Sequence, residues 1–162
     1  MTEKAKGNKC IIAIRVRGVI SARREDRETL RMLNLTRNNY AVLIDDRSSF
    51  LGMLRAAQGY VTWGEASKET IATLIMKRGR LAGNKRLTEE CLQKVGCRSI
   101  EELAQSVFNC TIEYWALLNI QPVFRLKPPT KGFKGNIKKG VGQGGELGYR
   151  GDRINELAER MI

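Results

Sequence analysis

The chain has 162 residues, no histidine, and a net charge of +12 from 29 basic and 17 acidic residues. This length suits one domain, or one domain with an appendage, and 42% hydrophobic residues are enough to build a core. We find no apolar run long enough to span a membrane and no signal peptide pattern, so we expect a cytoplasmic protein without a membrane partner. The lack of histidine removes the commonest general base and metal ligand, so an enzyme is not expected.

The four cysteines do not form a metal-binding pattern. They lie at positions 10, 91, 97 and 110, and no two have the spacing of a zinc knuckle. We expect small buried thiols in a reducing compartment, and neither a metal nor a cofactor.

The positive charge is concentrated at the two ends of the chain. Residues 1–60 carry +6, residues 61–120 carry +1, and residues 121–162 carry +5. Localised basic regions of this kind indicate a polyanionic partner, and nucleic acid is the first candidate. An anionic membrane is the second candidate, but no amphipathic helix with an aromatic face is evident.

The first 64 residues read as an α+β unit. Apolar runs, capping residues and turn residues predict strand, helix, strand, helix, strand at 10–16, 22–33, 40–44, 49–58 and 60–63. Ser21 and Ser48 are the predicted helix N-caps. Trp63 is expected to pack in the sheet, with stacking on a base as the alternative. We expect both helices on one face of the sheet.

The rest of the chain predicts mainly helices. They are expected at 66–78, 88–95, 99–108 and 111–118, followed by an extended stretch at 121–126 and a final helix from Asp152. The resulting division is a β-α-β-α-β core at 9–64, a helical C-terminal subdomain at 65–126, a basic glycine-rich extension at 127–151 and a short C-terminal helix at 152–162.

The glycine-rich extension, KPPTKGFKGNIKKGVGQGGELGYRG, holds eight glycines and six Lys or Arg residues against one acid. It offers few residues for a core, among them Phe133, Ile137 and Leu147. A segment of this composition cannot stabilise itself in water but can become ordered along an RNA surface that neutralises it. Glycine would let its backbone approach that surface closely.

Arginines form a stripe on the first predicted helix. Arg23, Arg24, Arg27 and Arg31 fall on one side of the helix, beside its apolar face. One interpretation is a solvated helix face. The other is a nucleic-acid-binding face, because the planar guanidinium group suits phosphate. Further arginines in the same unit favour the second interpretation.

Two stretches carry a family resemblance. TLRMLNLTRNNYAV (29–42) and MLRAAQGYVTWG (53–64) resemble the signature of the large-subunit ribosomal proteins called L-thirty, whose eukaryotic counterpart is called L-seven. IRVRGVISARREDRETLRMLNL (14–35) resembles the first strand and helix of that family. KRGRLAGNKRLT (77–88) and GQGGELGYRGDRINELAERM (142–161) resemble its long archaeal and eukaryotic members. The similarity runs from about Lys9 to the end, and no long basic N-terminal extension precedes it, so the chain looks archaeal.

The resemblance implies a β-α-β-α-β core with a three-stranded antiparallel, ferredoxin-like sheet. It also implies a structural, non-catalytic component of the large ribosomal subunit, held on the large rRNA close to the 5S rRNA and beside other ribosomal proteins. Matched by charge and placement, the expected RNA contacts are Arg23, Arg24, Arg27, Arg31, Arg37, Arg47, Arg55, Lys85, Arg86, Lys131, Lys134, Lys138 and Lys139.

Two other functions remain open from the residues alone. A small α+β module could regulate by binding a metabolite or a protein, since fold does not fix function. A nucleic-acid architectural protein outside the ribosome would carry the same charge. Binding that weakens steeply with salt would separate phosphate recognition from an apolar ligand pocket.

Overall fold

The structure, a computed structural model, describes residues 9–88, 92–93 and 96–162. Its elements confirm the predicted α+β class. In chain order they are β1 (Cys10–Arg15), α1 (Arg24–Met32), β2 (Tyr40–Asp45), α2 (Ser48–Ala56), β3 (Val61–Glu65), α3 (Lys68–Arg78), α4 (Ile100–Phe108), β4 (Val123–Arg125), β5 (Asn136–Gly140), β6 (Gly145–Tyr149) and α5 (Ile154–Met161). The predicted helix at 88–95 lies largely outside the described residues, and Cys91 lies outside them.

The strands form one sheet in the order β4-β2-β1-β3-β6-β5. Its centre is the predicted antiparallel trio: Ile12 of β1 lies opposite Leu43 of β2 and Gly64 of β3. The sheet is larger than expected. β4 adds antiparallel to β2, β6 adds parallel to β3, and β5 adds parallel to β6. The three-stranded description therefore applies only to the middle of a six-stranded sheet.

Helices cover both faces of this sheet. Ile11 and Ala13 of β1 pack with apolar residues of α1 and α2 on one face. Ile12 and Ile14 pack with α3, α4 and α5 on the other face. The expectation of helices on one face holds for α1 and α2 alone. The reason is visible in β1, where all six residues are buried, as in strands covered on both sides.

The helix caps differ from the predicted ones. α1 and α2 begin after Arg23 and Arg47, and neither residue makes a side-chain cap, so the predicted caps at Ser21 and Ser48 are wrong. Ser99 caps α4 by accepting from the N–H of Glu102 at 3.2 Å. The predicted helix at 111–118 is a single 3₁₀ turn at Tyr114–Ala116.

The glycine-rich extension forms part of the sheet. Thr62 and Trp63 of β3 pair with Gly148 and Tyr149 of β6, and Leu147 is buried. The expectation that the extension depends on RNA for its order is therefore wrong for β6, whose partners belong to the protein itself. The division of the chain into four segments stays a prediction.

Two glycines allow close approach between segments of protein backbone. A Cβ atom on Gly145 would lie 1.9 Å from the carbonyl oxygen of Lys139. A Cβ atom on Gly64 in β3 would lie 2.0 Å from the carbonyl oxygen of Gly151. Both distances are impossible, so a side chain at Gly145 would force β5 and β6 apart, and one at Gly64 would push β3 away from the turn at Gly151.

Candidate nucleic-acid interface

Every residue predicted to contact RNA has an exposed side chain in the structure. Exposure is necessary for a phosphate contact, but some of these residues already form ion pairs within the protein and others do not. Their positions also place them in separate parts of the molecule.

The arginine stripe of α1 faces solvent. The helix turns Leu30 to the core, while Arg23, Arg27 and Arg31 are exposed and make no ion pair with any residue the structure describes. Arg24 pairs with Glu28 at 2.8 Å across one helical turn, and exposed pairs of this kind contribute little stability. Three guanidinium groups of the stripe are therefore available to a partner.

The second helix adds one more available arginine to this layer. α1 and α2 contact each other on the same face of the sheet, and Arg55 is exposed in the last turn of α2. Arg47 is different, because its guanidinium is held by Asp45 at 2.5 Å and by Glu113. Arg47 would have to break these two ion pairs to bind a phosphate.

Arg37 lies beside an open depression at the β4 edge of the sheet. The depression measures about 590 Å³, and its described lining includes Arg37, Arg125 and the ring of Tyr40, with no acidic residue. Amide groups of Asn34 and Gln121 complete a lining that can donate to an anion. Arg125 was not predicted from the sequence, because it is a lone cation in an otherwise apolar strand.

Lys85 and Arg86 lie in a tight turn after α3. The N–H of Leu81 donates to the carbonyl of Lys85 at 2.8 Å, and Arg80 and Arg86 form an isolated β-bridge. Leu81 and Leu87 pack against the core on the α3 face. The turn is thereby held on the opposite side of the sheet from the stripe of α1.

The lysines of the glycine-rich extension are divided between a loop and an edge strand. Lys138 and Lys139 are exposed on β5, the strand at the outer end of the sheet. Lys131 is exposed in the preceding loop, and Lys134 pairs with Glu156 of α5 at 2.6 Å. The structure therefore places these lysines at the end of the sheet farthest in strand order from the depression beside Arg37.

Not every arginine of this basic chain is available to RNA. Arg15 is buried, and burial lowers the pKa of its guanidinium. Its N–H groups donate to the carbonyls of Leu35 at 2.9 Å and Arg17 at 3.1 Å. Arg15 therefore holds the α1–β2 connection to β1.

The described residues show neither a metal cluster nor a membrane span. Nowhere in 9–88, 92–93 and 96–162 do three or more His, Cys, Asp or Glu side chains gather in a way that could hold a metal ion. Within the same residues, no helix has the length and apolar character needed to cross a bilayer.

The sequence matches the family described as ribosomal protein L30p/L7e over residues 11–61, from β1 to the start of β3. It is also 46% identical over 152 residues to the large ribosomal subunit protein uL30 of Thermofilum pendens, covering 93% of this chain and 97% of that protein. The chain belongs to the ribosomal protein L30p/L7e family. The resemblance seen in residues 29–42 and 53–64 is thereby confirmed.

Further L30p/L7e relatives match the chain far beyond β3. The uL30 of Methanopyrus kandleri is 46% identical over 149 residues, covering 91% of this chain and 100% of that protein. The uL30 of Methanococcus vannielii is 45% identical over 150 residues, covering 92% of this chain and 97% of that protein. These relatives are archaeal, and matches of this length include the residues that form α3 and α4.

Proposed function

We propose that this protein is a structural constituent of the large ribosomal subunit in the cytoplasm and binds its rRNA. One observation carries the proposal: archaeal relatives named as large ribosomal subunit proteins are about 46% identical over nearly their whole length. The exposed arginines of α1 and α2 supply the chemistry that such a role requires.

The proposed mechanism is electrostatic positioning. Helices pack on both faces of the sheet, and this core positions the cationic side chains on the surface. Arginine guanidinium groups donate to phosphate oxygens and release counterions from the RNA. Most contacts of this kind go to phosphate and sugar, so the protein would read the shape of folded RNA more than its base sequence.

The finer parts of the proposal concern the neighbourhood in the ribosome. The family resemblance supports a position on the large rRNA close to the 5S rRNA, beside other ribosomal proteins. The same resemblance supports a role without catalysis, because the family offers no catalytic residues to match. The Lys85–Arg86 turn and the lysines of β5 would contact RNA segments different from those that meet α1.

Charge reversal of the arginine stripe tests the RNA-binding part of the proposal. The test variant carries Arg23→Glu, Arg27→Glu and Arg31→Glu. The matched control carries Lys68→Glu, Lys77→Glu and Arg98→Glu, which are exposed residues outside the predicted contact set and give the same change in net charge. Filter binding of large-subunit rRNA is measured at several salt concentrations, with circular dichroism and melting to check the fold.

The stripe variant should bind more weakly than the control, and its slope of log K against log salt should be shallower by about 2 to 3. If both variants fold and bind alike, the stripe is a solvated helix face. If wild-type binding is insensitive to salt, phosphate recognition is excluded and a regulatory module with an apolar pocket becomes the better account.

A further inference from the structure

A second basic site lies where the glycine-rich extension meets α5, outside the residues predicted from sequence except for Lys134. It is a pocket of about 270 Å³, and its charged lining consists of Lys134, Arg150, Arg153, Arg160, Glu146 and Glu156. Four cations face two acids, so the pocket has an excess of positive charge.

Both acids are already paired. Glu146 is buried and pairs with Arg150, and it also accepts from the N–H of Gly135 at 2.6 Å. Glu156 pairs with Lys134 at 2.6 Å. Arg153 and Arg160 are left without an acidic partner within the described residues, so the pocket keeps two uncompensated guanidinium groups.

Arg160 is fixed in place and has an unused donor. Its Nη1 donates to the carbonyl of Gly132 at 3.0 Å, and its main-chain carbonyl accepts from the N–H of Thr130 at 2.9 Å. Its Nε atom is buried and has no hydrogen-bond partner among the described residues. With one side-chain bond to the protein, the guanidinium of Arg160 keeps further N–H groups that could donate to a bound anion.

The electrostatic surroundings of Glu156 agree with a closely spaced group of cations. Lys134 lowers the pKa of Glu156 most, through its hydrogen bond and its charge, and Arg160 and Arg150 lower it further. An anion entering the pocket would meet the same positive potential.

We infer that this pocket binds a phosphate group of the rRNA backbone, with Arg153 and Arg160 donating to its oxygens. The inference rests on the proposed function. Guanidinium groups match phosphate oxygens in geometry and carry the charge to balance one phosphodiester. Because the extension and α5 both line the pocket, a bound phosphate would fasten the extension to the body of the protein.

Side-chain NMR of the wild-type protein tests the pocket without RNA. Titration with inorganic phosphate should shift the Nε–Hε signals of Arg153 and Arg160, while the signal of Arg98, an exposed arginine outside the pocket, should stay in place. Unmoved signals for both pocket arginines would overturn the inference, whether or not any variant folds.

Binding of large-subunit rRNA by Arg153→Gln, with Arg98→Gln as the control, tests the source of the phosphate. The pocket variant should have a salt slope shallower by about one than the control. If wild-type protein fails to bind rRNA, the proposed function itself fails. If wild type binds and the two variants bind alike, only the pocket assignment fails. Shifted arginine signals combined with unchanged RNA binding would mean that the pocket takes free phosphate, which also overturns the assignment to RNA.

Discussion

The carboxylate of Glu146 and the guanidinium of Arg150 form an ion pair in which the side chains are only 4% and 12% exposed. The carboxylate also accepts from the N–H of Gly135, and Arg150 Nε donates to Thr62 Oγ1 at 3.3 Å. One buried pair therefore connects the residue directly before β5, strand β6 and the central strand β3.

Removing Glu146 should loosen this connection. Glu146→Ala leaves Arg150 without its acid and the N–H of Gly135 without its acceptor, and breaking a buried pair from one side costs about 3–5 kcal/mol. Urea denaturation should show a loss in the free energy of unfolding of about this size. Glu159→Ala, at an exposed glutamate of α5, should change it by less than about 0.5 kcal/mol. Equal effects of the two substitutions would show that the pair does not hold β6 in place.

The close approach at Gly145 gives a second prediction, about the backbone. Gly145→Ala puts a Cβ atom against the carbonyl of Lys139, so β5 and β6 must separate. We expect the free energy of unfolding to fall by about 1–3 kcal/mol. Amide exchange at Leu147 and Tyr149 should become faster. Gly142→Ala is the matched control, since nothing lies within 4 Å of its Cβ position. Unchanged exchange in the Gly145 variant would contradict the packing of β6 beside β5.

Tyr149 gives a prediction about pH. Its hydroxyl donates to both carboxylate oxygens of Glu65, at 2.8 and 2.9 Å, and this hydrogen bond is the main cause that raises the pKa of Tyr149. A folded-state pKa above the unfolded value of about 10 means that the stabilisation is present below pH 10 and is lost as pH rises through the folded pKa.

Tyr149→Phe should therefore be less stable than wild type near pH 7, by about 0.5–1 kcal/mol, and the difference should shrink above pH 10. Thermal melts across this pH range measure it. Tyr60→Phe serves as the control, because the Tyr60 ring lies 5.7 Å from the Arg17 guanidinium and the substitution keeps that ring. A stability difference for Tyr149→Phe that is constant with pH would contradict the role of the hydroxyl.

The order of the first three strands and two helices was predictable, because short stretches of sequence mark each element. The apolar run CIIAIR and the turn at Asn38 and Asn39 mark β1 and β2 in the sequence itself. β6 was not predictable, because GELGY has only one buried apolar side chain, Leu147, and gains its place by pairing with β3 more than 80 residues earlier. Hydrogen bonds between distant segments leave no local pattern.

The positive charge of the candidate interface was predictable from the sequence. Which of its cations are free of ion pairs within the protein was not. Composition alone pointed to the exposed cations. It did not show that Arg47 is held by Glu113, 66 residues away in the chain. It also missed Arg153 and Arg160, which lie among acids in sequence. Their spacing of seven residues, which places both on one side of a helix, is the signal that could have found them.

The central claim is membership in the large ribosomal subunit, and sedimentation tests it most directly. An extract containing the endogenous protein is washed with moderate salt and run through a sucrose gradient, and the protein is quantified across the fractions. We expect migration with the large subunit at close to one copy per particle. Recovery of the protein at the top of the gradient would contradict it and would favour a regulatory module or a nucleic-acid-binding protein outside the ribosome.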